Sequence, residues 1–244
     1  MEFKIGLAGK TIGITGIYDE ILHMCEGYYA EGPEDFHVSV TSADVEYERK
    51  KSDREAILEG RMPESFSASY LETLAIYRKI AVEMLKHDTF LMHGAVVGVA
   101  GEAVLFTAPS GVGKTTHVRL WLKEIPGAFI VNGDKPLLRF LEDRCEACGT
   151  PWAGKEGMQT NVSLPLRAVC FVERGSVNEV TPVSFKDSYP LLLQQVYRPE
   201  AGEAMLRTME LVKRLGETVP LYRLSCNLAP EAAHVAFRGV FGSN

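Results

Sequence analysis

The run from Val104 to Thr116, Val-Leu-Phe-Thr-Ala-Pro-Ser-Gly-Val-Gly-Lys-Thr-Thr, holds the residues whose types and spacing speak most directly of chemistry. Val104, Leu105 and Phe106 read as a buried strand. Ala108 to Gly113 form a loop of small residues, and Lys114-Thr115-Thr116 opens an amphipathic helix bearing Val118, Leu120, Trp121 and Leu122. Strand, small-residue loop and Lys-Thr at a helix start are what a phosphate cradle requires. The backbone N–H groups of Ser110, Gly111, Val112, Gly113 and Lys114 can turn toward phosphate oxygens, because the two glycines permit the dihedrals. The helix N-terminus adds its partial positive charge. Lys114 reaches the β- and γ-phosphates and the Thr115 hydroxyl ligates Mg²⁺, so that Ser110 to Thr116, with Thr116 at the end, hold Mg-ATP. The usual pattern begins with glycine where Ala108 stands; alanine keeps the loop unless its φ must be positive there.

A phosphate loop of this kind needs a carboxylate that holds Mg²⁺ or its waters and a base for the acceptor proton. Asp134, twenty residues past Lys114 and just after the apolar strand at 128–131, is the acid placed for both tasks. Asn132-Gly133-Asp134 also reads as a plain turn. His93 is either a satisfied core histidine or a group acting near the acceptor or phosphate. Gly149 to Lys155 is a second small-residue loop, in which Lys155 either steadies charge on the moving phosphoryl group or is a solvated lysine. Asn161, Arg167, Glu173 and Arg174 are further polar groups available to line the site. Cys145-Glu-Ala-Cys148 is half a zinc site, a redox pair or two thiols on one face or end of a strand. Without a second pair or a nearby histidine the last reading is preferred.

These groups need elements to position them. Alternation predicts a hairpin over 3–14 with its turn at Ala8-Gly9-Lys10, and another strand through Phe36, Val38 and Val40. A helix is expected over Tyr18–Tyr29, and a short one after a capping box at Ser52-Asp-Arg-Glu55. A long helix follows from about Ser67 to His87. Beyond it, strands are expected at 90–92, 95–97, through the loop strand, at 128–131 and at 168–172. His93 falls on the strand paired with the loop strand. Helices near Lys186–Gln195 and Glu203–Leu215, a strand at Leu221–Leu224 and a helix from Pro230 to Val240 complete the chain. The expected organisation is an N-terminal α/β segment over 1–88, docking an acceptor or belonging to the same core, and a phosphate-loop kinase domain over 89–244.

The chain has 244 residues, 46% of them hydrophobic and 24% charged, enough for a sizeable core in one or two domains. Its net charge of −6 argues against nucleic acid as a partner. No apolar run is long enough to span a bilayer, the N-terminal residues do not read as a secretory signal, and five scattered cysteines suit reduced thiols, so a cytoplasmic location is expected.

His93-Gly94, the Ala-Pro-Ser-Gly-Val-Gly-Lys-Thr-Thr-His loop and the strand ending in Asp134 resemble the catalytic domain of the HPr serine kinase/phosphorylase family, over about residues 89–175. The resemblance implies an α/β fold of the kind shared with ATP-dependent phosphoenolpyruvate carboxykinase, a mixed central sheet flanked by helices. It also implies a kinase with Asp134 as base and metal ligand, His93 in the site, and Gly149–Lys155 as a substrate or phosphate loop. The family shows two adjacent aspartates where this chain has Asn132-Gly133-Asp134. Its members tend to form homo-oligomers. The implied acceptor is a hydroxyl, on serine of a small protein or peptide or on a small metabolite. A nucleotide-sensing protein without turnover and a carboxykinase-like lyase are the alternatives.

Overall fold

The computed structural model describes residues 1–58, 60–109, 111–200 and 202–242. The chain forms two compact units, Met1–Glu83 and Met84–Asn244.

In the first unit, β1 (Glu2–Leu7) and β2 (Lys10–Thr15) are an antiparallel hairpin. Ala8 and Gly9 both take positive φ, 47° and 72°, which gives the turn the twist of its strands. The helix α1 covers only Glu20–Met24, shorter than the expected Tyr18–Tyr29. The chain turns at Gly27 (φ 81°), and the backbone beyond it pairs with β1: Gly6 N–H donates to Tyr28 O and Ala30 N–H to Lys4 O. Strand β3 (Phe36–Ser39) lies parallel to β2. The Ser52 capping box does not start a helix; 52–58 is the last part of α2 (Ser42–Leu58). That helix begins where the Thr41 N–H and hydroxyl both donate to Asp44 Oδ2, and it ends where Gly60 at φ 69° lets Arg61 N–H reach Ala56 O. In α3 (Ala68–Met84) the buried Glu72 carboxylate accepts the N–H groups of Ile17 and Tyr18.

The second unit opens with a 3-10 turn at Leu85–His87, then β4 (Thr89–Leu91), β5 (Ala95–Val99), β6 (Glu102–Thr107) and α4 (Lys114–Glu124). Next come β7 (Phe129–Asn132), β8 (Leu137–Phe140), β9 (Cys145–Cys148), β10 (Ser163–Arg174) and β11 (Glu179–Pro182). The helices α5 (Phe185–Gln195) and α6 (Gly202–Thr218), strand β12 (Leu221–Cys226) and α7 (Glu231–Phe241) follow. Among the described residues the sheet runs β4-β8-β9-β10-β6-β5-β7, with β12 beside β10 and β11 beside β12. It is mixed, and both faces are covered. Val104 and Phe106 of β6 pack with Val118 and Trp121 of α4 and with Ala232, Ala236 and Val240 of α7. Leu105 faces the other way, among Val169, Phe171, Leu192 of α5 and Leu211 and Leu215 of α6. Because of this period-two alternation, a one-residue slip of β6 would exchange its two buried sets between differently shaped layers. Trp121, fully buried, is the largest side chain of its layer; cutting it to alanine would cost about 3–5 kcal/mol.

Cys145 and Cys148 are both buried on β9, but three residues apart on a strand puts them on opposite faces rather than one. Burial pushes both thiols upward, Cys148 to about 11.

Candidate functional site

Strand direction gathers the site. β5 is antiparallel to both β6 and β7, so β6 and β7 run the same way, and β10 is parallel to β6. The C-terminal ends of β6, β7 and β10 therefore share one edge with the N-terminal end of β5. That edge presents the loop at 108–113, the turn at 132–135, Arg174 and His93-Gly94.

The two glycines of the loop take the conformations their type permits: φ is 78° at Gly111 and 129° at Gly113, the residue before α4. Ala108 is buried and is absent from the described residues with positive φ, so the missing glycine demands no left-handed conformation. Ser110 lies outside the described residues. Lys114 Nζ donates to Ala108 O at 2.7 Å and to Pro109 O at 3.4 Å. Burial lowers its pKa and the charge of Asp134 works against that, which places the two groups within electrostatic reach. Thr115 and Thr116 are exposed on the first turn of α4. Val112 packs its side chain against the core beneath α4 and α7. From the end of β10, Arg174 donates Nη2–H to Gly111 O (2.7 Å) and Nε–H to Val112 O (3.0 Å).

Asp134 is fixed by its neighbours. Asn132, fully buried, accepts at Oδ1 the N–H groups of Asp134 (2.9 Å) and Lys135 (2.7 Å). Its amide donates to Thr150 O and Thr150 Oγ1, both at 3.0 Å, while the Thr150 hydroxyl donates to Lys135 O. Asn132 is thus a staple across the turn, a job for an amide with donors on one side and an acceptor on the other. Asp134 O accepts the Gly94 N–H at 2.9 Å, tying the turn to the start of β5. The Asp134 carboxylate faces His93 Nε2 at 3.3 Å through Oδ1 and Lys135 Nζ at 2.5 Å through Oδ2. Burial on its own would raise this carboxyl, but the His93 hydrogen bond and the Lys135 charge override it and hold the group well below the usual carboxylate range.

His93 is not on the strand paired with β6. It sits in the bend before β5, because its backbone is engaged elsewhere: its N–H donates to Gln195 O (2.7 Å) and its carbonyl accepts the Thr107 hydroxyl (2.8 Å). Its Nδ1 also meets Gln195 Oε1 at 3.0 Å. Gln195, at the end of α5 and buried, belongs to the site by geometry and had no signal of its own in the sequence.

The second small-residue loop lies against the Asp134 turn. A Cβ on Gly133 would stand 2.8 Å from Ala153 O, and one on Gly154 (φ 75°) would stand 3.0 Å from Asp134 Cβ. Lys155, the next residue, is exposed, as is Glu156, which accepts from Arg119 of α4 at 2.7 Å. The structure thus brings His93 and Asp134 together, leaves Lys114 bonded to Ala108 O but within reach of the Asp134 charge, and sets Lys155 one residue from the Asp134 contact. Arg167 does not join them: it reaches Val240 O and Glu102 instead.

An ionised Asp134 and a Thr115 hydroxyl at a helix start are hard oxygen donors, suited to Mg²⁺. Among the described residues no group of three or more acidic, histidine or cysteine side chains forms a metal cage. Two protein oxygens fit an ion that keeps its waters and takes its other ligands from phosphate. No described helix is long and apolar enough to cross a membrane.

No family model matches the chain, and no curated protein does. A solved structure, the Hpr(Ser) kinase/phosphatase from Coxiella burnetii, is similar at 11% identity and a TM-score of 0.39, over 62% of this chain and 88% of that one. Similarity at that level does not assign this chain to a family.

Proposed function

We propose that the chain is an ATP-dependent phosphotransferase related to HPr kinase, moving the γ-phosphoryl group of ATP to a hydroxyl, on serine of a small protein or peptide. The observation that supports it best is the meeting of His93 and Asp134 beside Lys114 at the end of the loop strand. In this reading the loop N–H groups from Ser110 to Thr116 and the Lys114 ammonium hold the phosphates, and Lys155 steadies charge on the moving group. Asp134 takes the proton of the acceptor hydroxyl as its oxygen bonds to phosphorus and the bond to the ADP oxygen breaks. His93 fixes the direction of the carboxylate. Mg²⁺, held by Thr115 and Asp134, would neutralise phosphate charge when bound.

One observation favours a second reading, nucleotide binding without turnover. A carboxylate held low by His93 and Lys135 is a weak proton acceptor until Lys135 withdraws from Oδ2. The test is ATP consumption by the purified protein with Mg²⁺, with serine proteins, peptides and small alcohols screened by mass shift. A phosphorylated acceptor that vanishes with Asp134→Asn supports the kinase. ATP bound without turnover on every acceptor supports the binding protein.

A further inference from the structure

We infer that Arg174 orients the phosphate-binding loop, acting as a positioning residue for polyphosphate ligands. The inference rests on the reading of 108–114 as a phosphate site and adds to it a residue on a different strand, some sixty positions away in the chain.

In a trans peptide the C=O and the following N–H point in opposite directions. Arg174 draws the carbonyls of Gly111 and Val112 toward its guanidinium, and so turns the N–H groups of Val112 and Gly113 away from it. The Val112 N–H is found on that opposite side, facing Pro109 O across the loop at 3.4 Å. Without a hold, peptide units flanked by Gly111 and Gly113 rotate at little steric cost, and each rotation would present a carbonyl oxygen to an incoming phosphate. Arg174 removes that choice for two consecutive peptides.

The hold is as firm as its base. Arg174 ends β10 and pairs in register with Cys226 of β12, and Gly175 N–H closes the pairing by donating to Cys226 O at 3.0 Å. Val112 is held from its other side by its packing on the core. Two N–H donors in a rigid plane match two adjacent carbonyls; a lysine ammonium carries the same charge without that fork. The paired substitutions Arg174→Gln and Arg174→Lys therefore separate orientation from charge.

The experiment is calorimetric binding of ADP and of inorganic tripolyphosphate to the full chain and to both variants. Amide resonances of Val112 and Gly113 are recorded in the ligand-free proteins, and melting temperatures serve as a control on folding. Both variants are expected to bind both ligands about tenfold more weakly, with shifted Val112 and Gly113 amides and an unchanged melting temperature. Wild-type affinity in Arg174→Lys would reduce the residue to a charge and overturn the inference, as would wild-type affinity and unmoved amides in Arg174→Gln. If the unsubstituted protein binds neither ligand, the nucleotide reading itself fails. If it binds both and the variants match it, only the role of Arg174 fails.

Discussion

Asp44 in the first unit and Asp134 in the second are buried to nearly the same depth, with side chains 17% and 23% exposed. Each is surrounded by cations. Asp44 meets Lys79 Nζ at 2.8 Å, Arg78 at 3.4 Å and the N–H and hydroxyl of Thr41 at 2.9 Å. Burial would raise its carboxyl too, but Lys79 and Thr41 take it down to about 2. By ionisation alone the two acids are alike, and what surrounds them differs. Asp44 closes the start of α2, and its lysine also holds Ser39 O, so every contact there serves packing. Asp134 stands at a strand end beside two glycines, Gly133 and Gly154, and within the field of the loop lysine. A depressed carboxyl reports ion pairing; a carboxylate at a strand end that also faces a histidine and feels the charge of Lys114 is the candidate for function.

The widest separation between the two should come from amide replacement. Asp134→Asn is expected to cut phosphoryl transfer by about 10²–10⁴-fold while much of the nucleotide affinity remains. Asp44→Asn should do the reverse, leaving turnover intact and costing about 1–2 kcal/mol in urea unfolding. Equal loss of turnover in both variants would erase the distinction. Asn132→Ala removes the staple under Asp134 and strands the N–H groups of Asp134 and Lys135. About 2–4 kcal/mol should go in denaturant unfolding, with turnover falling as well.

The lysines sharpen the contrast. Lys135→Met should free Asp134 Oδ2 and tighten the binding of Mn²⁺ alone, read by its paramagnetic signal, about threefold or more. Lys79→Met should instead destabilise by about 1 kcal/mol and leave Mn²⁺ binding unchanged. The smallest effect concerns pH. The folded Asp44 carboxyl lies below its unfolded value, so its stabilisation is complete above about pH 4 and fades as pH falls toward 2. Across that window wild type should lose about 1 kcal/mol more than Asp44→Asn, measured by urea titration at each pH.

Much of this architecture is legible along the chain. The apolar triplet at 104–106 and the Lys-Thr that follows mark β6 and the start of α4, because strand burial and helix initiation are local signals. The position of Asp134 after its own strand is also local. Other features are set by tertiary contact. Tyr18–Tyr29 has helical spacing, yet the edge of β1 captures its second half. Asn132 counts as a lost acid in any comparison by residue type; only its hydrogen bonds make it a staple. Gln195 gives no hint in sequence, for its partner is 102 residues away. Arg174 was one polar group among four until β10 proved parallel to β6 and carried it to the loop.

The long reach between His93 and Gln195 sets an order of events during synthesis. A chain emerging from the ribosome has its loop, Lys114 and Asp134 some sixty residues before Gln195 is made, and domains assemble as their segments appear. The histidine gains its glutamine partner only once α5 has been made. Until α5 docks, the nascent protein holds the Asp134 turn without the ring that faces it.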